Sequence, residues 1–100
     1  MNDTVYTPES IRALLAPIFR KNRVQQAVLF GSYSRGTALP HSDVDIYVDS
    51  GLRGLQFVGL IEAASNALGK NVDLIDSAHI ESESSIAKEI HANGTVIYEG

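Results

Sequence analysis

The chain reads as an alternation of helical and extended apolar patterns. Ile11, Leu14, Leu15, Ile18 and Phe19 recur at spacings of three and four, which predicts an amphipathic helix. Thr7-Pro8-Glu9 supplies its start: a capping hydroxyl, a proline at the first helical position and an acid in the positively polarised first turn. Pro17 lies inside this run and is expected to kink the helix or disturb its last turn. Arg20, Lys21 and Arg23 fall where cations complement a helix C-terminus. Ala27-Val28-Leu29-Phe30 is a short continuous apolar run, read as a buried strand that stops at Gly31-Ser32. A helical turn through Arg35 and a loop with Gly36, Pro40 and His41 follow. Val44 to Val48 then alternates with period two, placing Val44, Ile46 and Val48 on one face and Asp43, Asp45, Tyr47 and Asp49 on the other.

The second half repeats the alternation. Leu55 to Leu68 is expected to be a helix with Phe57, Val58, Ile61, Ala64 and Leu68 inward and Gly69 as its C-cap. Val72 to Ile75 is a third strand, and Ser82 to Ala92 a short helix built on Ile86 and Ile90, ended by Asn93-Gly94. Thr95 to Tyr98 is a last strand at a sheet edge. The expected fold class is therefore α/β (α+β), a mixed sheet of about four strands covered by helices.

Composition narrows this picture modestly. Residues 1–100 are expected to form a single domain with one small core. The net charge of -4 argues against a dedicated nucleic-acid binder, which carries a basic face, but leaves a nucleotide substrate open. With no cysteine, disulfides and thiolate metal sites are excluded. The opening MNDTVYTPES has no basic region followed by an apolar run, and no apolar stretch reaches the length of a membrane span, so a cytoplasmic protein is expected.

The candidate chemistry lies between Gly31 and Val48. Asp43 and Asp45, two apart on a strand, project from one face about 7 Å apart at Cα. Alone, such a pair reads as the solvated side of a strand. Here it follows Gly31-Ser32, where glycine permits close backbone approach and a hydroxyl with open N–H groups can hold phosphate. Arg35 is suited to a charge-assisted phosphate contact. Paired carboxylates placed after a phosphate loop bring triphosphate and hard divalent cations together. A two-metal site uses a further carboxylate, and Asp73, isolated inside Val72-Asp73-Leu74-Ile75, is the candidate. Asp76 points to the opposite face and Asp49 lies further along, so neither is assigned to the site.

Gly31-Ser32, Arg35-Gly36, Asp43-x-Asp45 and Asp73 together resemble the DNA polymerase β-like nucleotidyltransferase superfamily, and within it the minimal nucleotidyltransferase branch that includes MntA-type antitoxins. Ser34 departs from the alanine those minimal members often carry. The resemblance implies that Gly31, Ser32 and Arg35 bind the nucleotide phosphates. It implies that Asp43 and Asp45 bind two Mg²⁺ ions (Mn²⁺ being an alternative), and that Asp73 completes one metal site and helps deprotonate the acceptor. The implied reaction is transfer of AMP from ATP to a tyrosine of a HEPN-domain toxin, the partner in a toxin-antitoxin pair, with no membrane and no direct nucleic-acid contact.

The short length is expected to leave no second domain for a small-molecule acceptor or tRNA, which favours a protein acceptor. Two other readings stay open at this stage. One is a non-catalytic antitoxin acting by complex formation. The other is a small-molecule nucleotidyltransferase whose cleft is completed by a partner subunit, in a homo- or hetero-oligomer. His41, a loop histidine near the site that could touch phosphate, is read as incidental, and His79 and His91 show no zinc-binding spacing. Tyr33 and Tyr47 are expected to pack rather than stack on a base, and Ser82 to Ser85 offer helix N-caps.

Overall fold

The computed structural model describes residues 3–81 and 83–100. Helix α1 spans Pro8–Lys21, and strand β1 spans Gln26–Phe30. A one-turn helix α2 covers Ser32–Arg35 and strand β2 covers Val44–Asp49. Helix α3 is Leu55–Leu68, strand β3 Val72–Asp76, helix α4 Ser85–Asn93 and strand β4 Thr95–Glu99. The sheet order is β3-β2-β1-β4, with β2 and β3 parallel and the other neighbours antiparallel. The parallel pair requires a crossover, and α3 provides it. Strand β4 is an edge, as its position at the end of the pattern predicted.

The inner sheet face is made by Ala27, Leu29, Val44, Ile46, Val48, Val72, Leu74 and Ile97, packed against Ile11, Leu15, Phe19, Leu60, Ala64 and Leu68 of α1 and α3. Helix α1 begins with a reciprocal capping box. Ser10 N–H donates to the Thr7 hydroxyl at 3.1 Å and Thr7 N–H donates to the Ser10 hydroxyl at 2.9 Å. Contrary to expectation, α1 runs unbroken through Pro17 to Lys21. Pro17 and Ala13 both lie on the exposed side, so the Ala13 carbonyl that loses its helical donor can turn to water.

Two helical faces also differ from the sequence reading. In α3 the buried residues are Leu60, Ala64 and Leu68; Val58 is exposed, and Phe57 and Ile61 sit at the margin. The Gly69 cap is left-handed, φ 64°, as expected. Helix α4 starts at Ser85 with Ser84 as its cap, and Ser82 lies outside the described residues. Its buried residue is Ala87, and Ile86 faces solvent. Helix α4 covers the outer sheet face, where Val28, Tyr47 and Val96 meet Ala87 and Ile90 around a cavity of about 370 Å³. A small side chain at 87 lets a short helix approach that face closely. The outer face is also the one that carries the aspartates.

Candidate active site

The site forms where β1 ends and β2 begins. Antiparallel pairing puts Phe30 opposite Asp45, so the turn after β1 lies beside the first carboxylates of β2. Gly31 makes that turn at φ 73°, ψ -151°, a conformation essentially reserved for glycine. A Cβ built on Gly31 would stand 2.3 Å from Asp45 Oδ2, inside any allowed contact. Gly31 therefore does two things: it turns the chain into α2, and it leaves the room in which the Asp45 carboxylate sits.

Helix α2 starts at Ser32 with no side chain capping it. The N–H groups of Ser32, Tyr33 and Ser34 have no acceptor four residues earlier within the helix, whereas Arg35 N–H donates to the Gly31 carbonyl at 3.1 Å. The Ser32 hydroxyl makes no hydrogen bond among the described residues. These donors follow directly on Gly31, which abuts the Asp45 carboxylate, and suit an anionic oxygen. Tyr33 turns the other way into the core and is buried, as expected of a packing residue; its hydroxyl has no hydrogen-bond partner among the described residues. Gly36, left-handed at φ 77°, closes the turn.

Parallel pairing sets Asp45 directly opposite Asp73, with Val44 opposite Val72 and Ile46 opposite Leu74. The third aspartate thus comes to the same face as the first two through β2–β3 register. Asp43 precedes β2 and is exposed. Burial raises the Asp45 carboxyl above its ordinary value, the neighbouring charges of Asp73 and then Asp43 raise it further, and Arg35 pulls it partly back. The contributions of Asp73 and Asp43 reflect negative charge gathered around Asp45, which Arg35 offsets only in part.

Arg35 is not an open cation. Its Nη1 pairs with Glu89 Oε1 of α4, an interaction that spacing along the chain does not reveal. Asp49 is exposed and accepts from the Ser77 hydroxyl at 3.3 Å, away from the site. Asp76, buried on the inner face, accepts from Ser50 N–H at 3.1 Å, the Ser50 hydroxyl at 2.6 Å and Ala78 N–H at 3.0 Å. Burial alone would raise its pKa, but these donors and His79 bring it below the ordinary value. Asp76 is a structural acid, consistent with its exclusion from the site.

Among the described residues no three acidic or histidine side chains converge closely enough to cage a metal ion by themselves. The donor set nevertheless suits a hard divalent cation. All candidate ligands are carboxylate oxygens on one face, and Mg²⁺ is commonly held by one or two carboxylates together with substrate phosphates. Asp45 and Asp73 face each other beside the open donors of α2, which is where such phosphates would lie.

A carboxylate-bearing β2–β3 pair set against a Gly-Ser turn defines the chain as a nucleotidyltransferase. The polymerase beta nucleotidyltransferase family model matches residues 14–100, and the chain belongs to that family. It is 37% identical over 67 residues to a protein of Methanocaldococcus jannaschii named as a putative protein adenylyltransferase, covering 65% of this chain and 72% of that protein. In structure it is similar to a chain from the crystal structure of a toxin-antitoxin with AMP-PNP, at a TM-score of 0.76 and 27% identity, covering 89% of this chain and 73% of that one. A chain from a tri-AMPylated Shewanella oneidensis HEPN toxin in complex with MNT antitoxin shares the fold, with a TM-score of 0.71, 22% identity and coverage of 94% and 74%. Among the described residues no helix is long and apolar enough to cross a membrane.

Proposed function

We propose that this chain transfers AMP from ATP to a tyrosine of a HEPN-domain toxin and so acts as the antitoxin of a pair. The observation that carries the reading is the register pairing of Asp45 with Asp73 beside the Gly31-Ser32 turn. The AMP-PNP in one structural relative and the AMPylated toxin in another support ATP as donor and a HEPN protein as acceptor.

Gly31, Ser32 and the first-turn N–H groups of α2 bind the phosphates, and Arg35 adds a cationic donor. Asp43 and Asp45 would hold two Mg²⁺ ions and Asp73 one of them, and when bound these ions stabilise the attacking and leaving oxygens. The tyrosine oxygen forms a bond to the α-phosphorus as the bond to the bridging oxygen breaks. Pyrophosphate leaves, and the phenolic proton passes to the Asp73 carboxylate.

Incubation with α-labelled ATP, Mg²⁺ and a HEPN-domain protein from a neighbouring gene tests the reading. Label should appear on the partner with wild type and not with Asp43→Asn/Asp45→Asn. Unlabelled partner with wild type, or equal label with the double variant, would sink it. Full neutralisation of the toxin by the double variant would favour inhibition by complex formation.

A further inference from the structure

We propose that Glu89, on α4, is a positioning residue for the nucleotide: it holds Arg35 by one nitrogen and keeps the rest of the guanidinium free for phosphate. The inference rests on the reading of Arg35 as a phosphate ligand.

Glu89 has both oxygens engaged. Oε1 accepts from Arg35 Nη1, and Oε2 accepts from Asn93 Nδ2 at 2.8 Å, one helical turn further on. The carboxylate is therefore fixed on α4 before Arg35 reaches it. The neighbouring residue is tied to the same place. The Ser34 hydroxyl donates to the Asn93 carbonyl and lies 2.9 Å from Thr95 Oγ1. The end of α2 is thus stitched to the end of α4 by two adjacent side chains, although 54 residues separate Arg35 from Glu89.

The contact is single-pointed. An arginine offers five N–H donors, and a forked pair with a carboxylate would use one whole edge. Here Nε and Nη2 make no hydrogen bond among the described residues, so one edge of the guanidinium remains available. Arg35 is half exposed, at 46% of its side chain, against 28% for Glu89. An arginine so exposed would spread over many rotamers if unpaired, and ordering it would weaken nucleotide binding. Glu89 supplies that order in advance. The same carboxylate repels phosphate, which pulls the other way. Because it contacts Arg35 at Nη1 alone and its other oxygen is taken by Asn93, orientation is expected to outweigh repulsion.

A double-mutant cycle on the full chain tests this, with Mg²⁺ and AMP-PNP as the probe in calorimetry and melting temperature as the check on folding. Arg35→Ala is expected to weaken binding by about 10- to 100-fold, the loss of a charge-assisted hydrogen bond. Glu89→Gln should weaken it by about 3- to 10-fold, and the double variant should match Arg35→Ala alone. A purely structural role for Glu89 would persist in the Arg35→Ala background. Unchanged or tighter binding by Glu89→Gln, or additive losses in the double variant, overturns the proposal and leaves Arg35 in place. Unchanged binding by Arg35→Ala removes the reading on which it rests.

Discussion

Gly31→Ala should damage stability and chemistry through separable causes. At φ 73° and ψ -151° the backbone strain of a non-glycine residue is about 1–3 kcal/mol. For a domain of this size that lowers the melting temperature by about 5–20 °C. The steric cause is distinct. The new Cβ would stand 2.3 Å from Asp45 Oδ2 and 3.2 Å from its Cγ, so the carboxylate must retreat by roughly 1 Å to reach ordinary contact. A displacement of that size at a reacting centre can cost about 100-fold in rate. Gly36→Ala is the internal control. Gly36 is also left-handed, at φ 77°, but a Cβ there meets nothing within 4 Å. It should lose about 1–2 kcal/mol of stability and less than about 3-fold in rate. Urea unfolding reads the first quantity, and label transfer from α-labelled ATP reads the second. Calorimetry with Mg²⁺ and AMP-PNP gives a measure independent of the acceptor. Equal losses of activity in the two variants, or wild-type activity in folded Gly31→Ala, would refute the argument that Gly31 makes room for Asp45.

Asp45→Asn should abolish transfer yet raise the melting temperature at pH 7 by about 1–6 °C, because it removes a like charge directly opposite Asp73, worth about 0.2–1 kcal/mol. The sign follows from the raised carboxyl: its penalty on folding is absent below the ordinary value of 3.8 and complete above the raised one, so the gain should vanish in acid melts. Ser50→Ala removes a donor to buried Asp76 and should cost about 1.5–3 kcal/mol near neutrality. Because the Asp76 pKa is lowered by folding, that cost should shrink as pH falls below 3.8, which urea melts across pH 3–7 will read. Tyr33→Phe deletes a buried hydroxyl without a partner among the described residues and should raise stability by about 1 kcal/mol; a fall would show that the hydroxyl is satisfied in solution.

Most of the fold was legible because helix and strand periods differ and the caps are chemically distinct. Thr7-Pro8 and Gly69 mark helix ends in the sequence, and both cap as read. The alternation in β2 assigned every residue from Val44 to Asp49 to its correct face. The misreadings arise where local pattern is ambiguous. In α3, Phe57, Val58, Leu60 and Ile61 are all apolar, so the sequence offers several adjacent stripes; only packing against α1 and the sheet selects Leu60 and exposes Val58. In α4 the larger Ile86 suggested the core, but proximity to the outer face favours the small Ala87. Pro17 was judged by its missing donor alone, and exposure of that side decides how much the missing bond matters.

The site divides along the same line between local and non-local information. Gly31, Ser32, Asp43 and Asp45 lie within one short stretch, and their proposed roles rest on spacing and one hairpin-like pairing. Asp73 needed a strand register, which the isolated acid in an apolar run hinted at and β2–β3 pairing supplies. Glu89 carried no such hint. It lies on the polar side of an ordinary amphipathic helix, and nothing in its neighbours distinguishes it from Glu81 or Glu83. What distinguishes it is that α4 crosses the outer face and meets α2. The outer face therefore has two charge regimes. Around Asp45 the charges of Asp73 and Asp43 are opposed by Arg35, while Arg35 itself is paired with Glu89. Such an arrangement is poor for stability and suited to a site completed by a polyanion and its cations. The net charge of -4 pointed away from nucleic acid, but it could not reveal that the imbalance is concentrated where a nucleotide is expected to bind.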